Sequence, residues 1–246
     1  MNKKMVSDAN KQSLIIYGRH AVLAALKNPQ RRIAKLMCTA EAAVEVRGIS
    51  KIVLQIVDRK EIDKLLGYET VHQGFALFCS RLEDITLDEL LDMAKEKEDC
   101  HILILDQVSD PQNVGAIIRS AVAFDTLALV MQDKNSPLET GAMDKAAAGM
   151  IEHLPIVRVT NLSRAIEQLK DAGFWIIGMD GYAKTLISEL KKGGKNAIVM
   201  GSEGKGMRRL VEESCDVAVR LPISEKTESL NVATAAAIAL YEINKK

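Results

Sequence analysis

Four short apolar runs, "HILILD", "LALVMQ", "FWIIGM" and "NAIVMG", alternate in the second half of the chain with stretches of helical character such as "NVGAIIRSAVAF", "LSRAIEQLKDAG" and "MRRLVEESC". A run that is apolar at every position has no solvent face, so as a strand it must be covered on both sides. Helices recurring between such strands supply the cover. The alternation predicts an α/β fold, a mostly parallel sheet with helices on both faces, spanning residues 100–246.

The first part alternates differently. "YGRHAVLAALKN" reads as a helix after Gly18, "RIAKLMCT" and "KIVLQIV" as strands, "DRKEIDKLLG" as a helix and "GFALFCS" as a strand. We read residues 14–80 as a small α/β domain, 1–13 as a flexible tail, and 81–99 as a charged linker that is helical from Leu87 to Lys97.

Charge separates these parts. The whole chain is neutral, yet residues 1–80 carry 13 Lys and Arg against 7 Asp and Glu, and the rest carry 20 against 26. A basic module joined to an acidic one fits a docking domain attached to a domain with another task. Cys38, Cys79, Cys100 and Cys215 are scattered, as are His20, His72, His101 and His153. Neither a disulfide framework nor a metal site is indicated, and the cysteines read as small buried hydrophobes. No apolar run approaches the roughly 20 residues needed to span a bilayer. The polar start, "MNKKMVSDANKQS", has no apolar signal core, so a cytoplasmic location is expected.

Ligands of such sheets bind beyond the carboxyl ends of the strands. Three segments put unusual residues there. In "LDQVSDPQNVGAIIRSA" a strand ends at Asp106 and a helix starts near Asn113, which reads as its N-cap. Arg119 follows among apolar neighbours, so an anionic partner is expected for it. In "NAIVMGSEGKGMRRL" a strand enters a glycine-rich turn at Gly201, with Glu203 in its middle. The spacing G-x-x-G-x-G is neither the dinucleotide fingerprint nor a phosphate loop. That disfavours a nucleotide-dependent oxidoreductase. In "LPISEKTESLNVATAAAIALYE" a polar bend leads to Ser229, Leu230 and Asn231 and then a helix of mostly alanine, with Thr227 or Ser229 as cap. A helix apolar nearly all round must be buried on most sides.

In order and spacing, "NVGAIIRSA", "VMGSEGKGM" and "LPISEKTESLNVATAAA" resemble the three signature motifs of the SpoU/TrmH RNA ribose 2′-O-methyltransferases. "YGRHAVLAAL" and "VHQGFAL" resemble the N-terminal RNA-binding domain, of ribosomal-protein type, in the bacterial 23S rRNA guanosine-2′-O-methyltransferase subgroup. The resemblance implies a C-terminal trefoil knot, S-adenosylmethionine as methyl donor, a homodimer and RNA as substrate. It implies donor contacts at Met200, Gly201, Leu221, Pro222 and Leu230, and catalytic roles for Asn113, Arg119, Glu203, Ser229 and Asn231.

A guanidinium stays charged, with a pKa above about 12. Arg119 is therefore expected to hold the target phosphate and stabilise a developing alkoxide, and Glu203 becomes a candidate proton acceptor. RNA contacts are expected at Arg19, His20, Arg31 and Arg32, with Lys11 and Lys35 as further basic residues, whereas Lys3 and Lys4 read as part of a solvated tail. Relatives commonly carry glycine where this chain has Glu225, so the bend there should take another shape or point that side chain outward. A tRNA-directed member of the family, or a non-catalytic RNA-binding protein with a degenerate methyltransferase domain, are the alternatives.

Overall fold

A computed structural model describes residues 13–49, 52–191 and 193–245, and every count below refers to those residues. The tail at 1–12, with Lys3, Lys4 and Lys11, lies outside them. The chain divides into two compact units. One ends at Glu83 and takes in Leu138–Glu152, and the other comprises Asp84–Pro137 and the chain from His153 onward.

The first unit holds strands β1 (Ser13–Tyr17), β2 (Ile33–Cys38), β3 (Leu54–Ile56) and β4 (Phe75–Ser80) in the order β1-β4-β2-β3. Strand β4 is antiparallel to both neighbours, and β2 and β3 are parallel. Helices α1 (Arg19–Lys27), α2 (Ala40–Ala43) and α3 (Arg59–Leu66) flank the sheet. Ile16, Val22, Ala25, Leu36, Phe75 and Leu77 form its core. Among the described residues of "KIVLQIV" only Leu54–Ile56 is strand, and its three residues are exposed at the sheet edge.

The sequence reading did not anticipate that Leu138–Glu152 joins this unit. Its helix, α6 (Gly141–Ala147), packs on β1 so closely that a Cβ at Gly141 would run into the Ile15 carbonyl and the Tyr17 ring. An ionic cluster ties the segment down. Arg31 Nη2 lies 2.7 Å from Glu139 Oε1 and 2.5 Å from Glu152 Oε1, and Nη1 donates to the Ser80 carbonyl at 3.0 Å. The Arg31 side chain is fully buried.

The second unit is a seven-stranded sheet in which every pairing is parallel. Its strands are β5 (Cys100–Leu105), β6 (Leu129–Gln132), β7 (Ile156–Val159), β8 (Trp175–Met179), β9 (Thr185–Leu186), β10 (Lys195–Met200) and β11 (Val217–Arg220). They lie in the order β7-β6-β5-β10-β8-β11-β9. Helices α4 (Leu87–Lys95), α5 (Pro111–Ala123), α7 (Leu162–Asp171), α8 (Arg209–Glu213) and α9 (Val232–Asn244) cover it.

Period-two alternation sends Ile102 and Ile104 into one core with Val130, Ile166, Leu169, Ala197 and Val199. Leu103 and Leu105 face the other side and are equally buried. Helix α9 packs against α5 and β10. Strands β7 and β11 were not foreseen, because "PIVRV" and "DVAVR" are short and interrupted by charge. No helix among the described residues is long and apolar enough to cross a membrane.

Candidate active site

All strands of the second unit run one way, so the loops that follow β5, β10 and β11 leave from the same sheet edge. From β5 the chain steps outward to β6 and β7, then returns beyond β10 to β8. The strand order therefore reverses beside β5 and β10, which is where open α/β sheets bind ligands. The three segments singled out in the sequence all end at this place.

Two of the expected helix starts need correction. Asp110, not Asn113, caps α5, accepting from the Gln112 N–H at 2.9 Å, and Pro111 fills the first helical position. Asn231, not Thr227 or Ser229, caps α9. Its Oδ1 accepts from the N–H groups of Ala233 at 2.9 Å and Thr234 at 3.3 Å.

The Asn231 cap fixes the chemistry of the cluster. With its oxygen committed to the helix, the Asn231 amide turns its Nδ2 outward, where it donates to Glu203 Oε1 at 2.8 Å and Asn113 Oδ1 at 2.9 Å. Asn113 must then present its own Nδ2 to Glu203 Oε1, at 3.3 Å. The Val232 N–H adds a third donor to that oxygen at 3.2 Å. Three segments distant in sequence thus meet on one carboxylate oxygen, and Glu203 Oε2 makes no hydrogen bond among the described residues.

Glu203 sits on a closed loop. Ser202 and Gly206 exchange backbone hydrogen bonds of 3.0 and 2.9 Å. A Cβ at Gly201 would collide with the backbones of Gly206 and Met207, so only glycine lets the loop close. At its base Arg208 binds Asp106, a pair the sequence reading did not single out. The visible signal was an aspartate ending a fully apolar strand.

Among the other expected donor contacts, Met200 and Leu221 are buried, Gly201 and Leu230 half-buried, and Pro222 exposed. Neither the N–H nor the C=O of Leu230 is paired among the described residues. Ser229 is exposed, its carbonyl accepting from Thr227 Oγ1 at 3.1 Å. Glu225 is exposed and has no positive φ, so the bend does without glycine's conformation.

Arg119 differs from expectation. It is exposed on α5 and forms no hydrogen bond or ion pair among the described residues, because the apolar residues beside it in sequence point to other faces of the helix. Helix α9 is covered on part of its surface by its own chain. Ile238 and Tyr241 stand 39% and 52% exposed along one side.

In the first unit, Arg19 and His20 are exposed, with Arg19 Nε 2.6 Å from Glu45 Oε2. Arg32 is exposed and pairs loosely with Glu83 at 3.2 Å. Arg31 is removed from the RNA-facing set, since its buried guanidinium is used up inside the fold by Glu139, Glu152 and Ser80. Burial pushes the thiols of Cys79 and Cys215 up to about 12. They are not nucleophiles at neutral pH.

Comparison with known proteins sets this geometry in context. The profile of the SpoU rRNA methylase family matches residues 101–241, and that of RNA 2′-O ribose methyltransferase substrate binding matches residues 15–85. The 23S rRNA (guanosine-2′-O-)-methyltransferase RlmB of Coxiella burnetii is 38% identical over 239 residues, covering 94% of this chain and 95% of its own. An uncharacterized tRNA/rRNA methyltransferase, slr0955, of Synechocystis is 37% identical over 238 residues, covering 93% of this chain and 62% of its own. Among solved structures, the SpoU methyltransferase AviRb from Streptomyces viridochromogenes, in complex with AdoMet, superposes with a TM-score of 0.82 at 20% identity. That match covers 100% of this chain and 93% of AviRb, and it is a likeness of fold.

Proposed function

The chain belongs to the SpoU rRNA methylase family, and on that premise we propose that it transfers the methyl group of S-adenosylmethionine to a ribose 2′-hydroxyl of RNA, at a guanosine of 23S rRNA. The observation that carries this reading is the meeting of Asn113, Glu203 and Asn231 on one carboxylate oxygen at the sheet edge.

The donor set fits S-adenosylmethionine. Leu230 offers an unpaired N–H and C=O from a half-buried position, suited to the hydrogen-bonding edge of an adenine. Met200, Gly201, Leu221 and Pro222 would complete the wall around it. When bound, the cofactor supplies a methyl group on a sulfonium, so the leaving group becomes a neutral thioether.

What remains for the protein is alignment and removal of the hydroxyl proton. Arg119, charged and unpaired, is free to hold the target phosphate and to stabilise the alkoxide as it develops. Glu203 Oε2, the one oxygen of the cluster left without a donor, is the candidate proton acceptor. Asn113, Asn231 and the Ser229 hydroxyl would orient the ribose.

The reading extends to the assembly. The exposed Ile238 and Tyr241 on α9 are assigned to the seam of a homodimer. A trefoil knot formed around 201–231 agrees with the late entry of β10 between β5 and β8, both earlier in the chain. The first unit, through Arg19, His20 and Arg32, is assigned to RNA binding, supported by the substrate-binding profile over residues 15–85.

The test is methyl transfer from labelled S-adenosylmethionine to 23S rRNA and to tRNA, with the marks mapped by nucleotide. Label at a guanosine 2′-oxygen of 23S rRNA is the expected result. Label on tRNA alone overturns the substrate, and the absence of any transfer or calorimetric binding of S-adenosylmethionine overturns the activity.

A further inference from the structure

We infer that Asp106 and Arg208 form a positioning pair that fixes the methyl-donor loop from beneath. The inference rests on the reading of Gly201–Gly206 as part of the donor site. Asp106 is the first residue beyond β5, and Arg208 follows the loop at the residue that precedes α8.

Both oxygens of the Asp106 carboxylate are engaged by Arg208. Asp106 Oδ2 accepts from the Arg208 backbone N–H at 2.7 Å, while Oδ1 accepts from Nε at 2.8 Å and lies 2.7 Å from Nη2. The Asp106 N–H donates to the Met200 carbonyl at 2.8 Å, which carries the β5–β10 pairing one residue past the strand ends. Asp106 therefore grips the chain on both sides of the loop, through its backbone N–H at residue 200 where the chain leaves the sheet and through its carboxylate at residue 208 where it returns.

Burial sharpens the argument. The Asp106 side chain is completely buried, whereas that of Arg208 is 38% exposed. A buried carboxylate is tolerated only when fully bonded, and here its three bonds all go to Arg208, where the loop returns. A simple helix cap would need one of them. Between these ends the loop closes through Ser202 and Gly206, and its Glu203 reaches Asn231. The loop is thus held at its base by Asp106 and at its tip by Asn231. Loss of the base hold leaves the tip tethered but able to swing, and that misplaces the donor-facing backbone without unfolding the sheet.

The experiment compares the full-length wild type with Asp106→Asn, Arg208→Gln and the double variant. Arg208→Gln changes the more exposed partner and guards against a folding failure of Asp106→Asn. Lys170→Gln, which breaks the 2.7 Å pair with Asp216 elsewhere in the same unit, is the control. S-adenosylmethionine affinity is read by calorimetry. Loop opening is read as tryptic cleavage after the exposed Lys205, located by mass spectrometry.

Each single variant should lose about tenfold in affinity and be cut faster at Lys205, and the double should be no worse than the weaker single, because both remove one interaction. The control should bind as wild type does. Wild-type affinity and cleavage in both variants would overturn the pairing role. So would affinity lost only together with general melting and cleavage throughout the chain. If the wild-type protein itself does not bind S-adenosylmethionine, the reading of the site falls, and this inference with it.

Discussion

Asn231 and Glu203 are joined by a 2.8 Å hydrogen bond whose direction is dictated by a helix, because the other end of the Asn231 amide caps α9. A capping oxygen normally serves only the first turn. Here it also decides that the site receives an N–H donor and not a second acceptor, so helix start and site chemistry are one constraint.

The substitution Asn231→Asp separates the two roles. Aspartate caps a helix as well as asparagine does, so far-ultraviolet circular dichroism should be unchanged. Its second oxygen would face Glu203 Oε1 where a donor now stands, and the two carboxylates would repel. Methyl transfer should fall about a hundredfold, as expected when catalytic groups are displaced by an ångström or so. Activity should partly recover as pH is lowered, because one shared proton restores the hydrogen bond. Single-turnover rates across a pH series check this, and a flat profile would refute the carboxylate contact.

Gly201→Ala tests whether the loop must close on itself. The added methyl meets main chain at Gly206 and Met207, not the end of a flexible side chain, so the neighbours cannot step aside locally. Overpacking of this kind destabilises by about 1–3 kcal/mol, and here the strain falls on the Ser202–Gly206 closure. S-adenosylmethionine affinity should drop more than the melting temperature does. Calorimetry beside a thermal melt reads both.

The sheet of the second unit was legible because a strand buried on both faces must be written in continuous apolar residues, and "HILILD" and "NAIVMG" can be little else. The loops were legible for a related reason: only glycine permits the approach at residue 201, and only a short polar side chain serves at 231. What could not be read was burial of charge. Arg31 and Arg32 are adjacent and chemically alike, yet one is sealed inside the fold and the other faces solvent. The difference is made by Glu139 and Glu152, over a hundred residues later, and no local pattern announces them. Arg119 failed in the opposite sense. Apolar neighbours in sequence lie on other faces of a helix and say nothing about the residue between them.

Arg119→Ala should therefore leave stability nearly untouched. The side chain is exposed and makes no bond among the described residues, and such substitutions change stability by about 0.5 kcal/mol or less. Turnover should collapse all the same if the guanidinium holds the target phosphate. Arg119→Lys keeps the charge without the planar fork and should rescue only a small part. Near-normal turnover in the lysine variant would rule out a bidentate role.

Arg31→Gln should do the reverse. Removing the single cation leaves Glu139 and Glu152 buried beside each other, a loss of about 3–5 kcal/mol for a broken buried pair. The first unit should unfold at lower denaturant, and RNA affinity should fall only as folded protein is lost. Denaturant titration paired with RNA binding measured on the folded fraction distinguishes this from a direct RNA contact.

Asp144 supplies the pH dependence of the same cluster. It lies on α6 with both oxygens buried and, among the described residues, with no N–H or hydroxyl donor on either, facing Tyr17, Arg31, Glu139 and Glu152. Burial first, and then the charge of Glu139, hold its carboxyl well above the usual range, only partly offset by Arg31. The folded chain therefore binds this proton more tightly than the unfolded chain. Its contribution to stability is complete below the ordinary carboxylate pKa of about 4 and is lost as pH rises through the elevated folded value. Asp144→Asn imitates the protonated side chain and abolishes that loss. The urea midpoint of the variant should exceed that of the wild type by a margin that widens as the pH is raised from acid toward neutrality. A margin that stays constant across the series would mean that Asp144 is already ionised in the folded protein, and that Arg31 balances three carboxylates unaided.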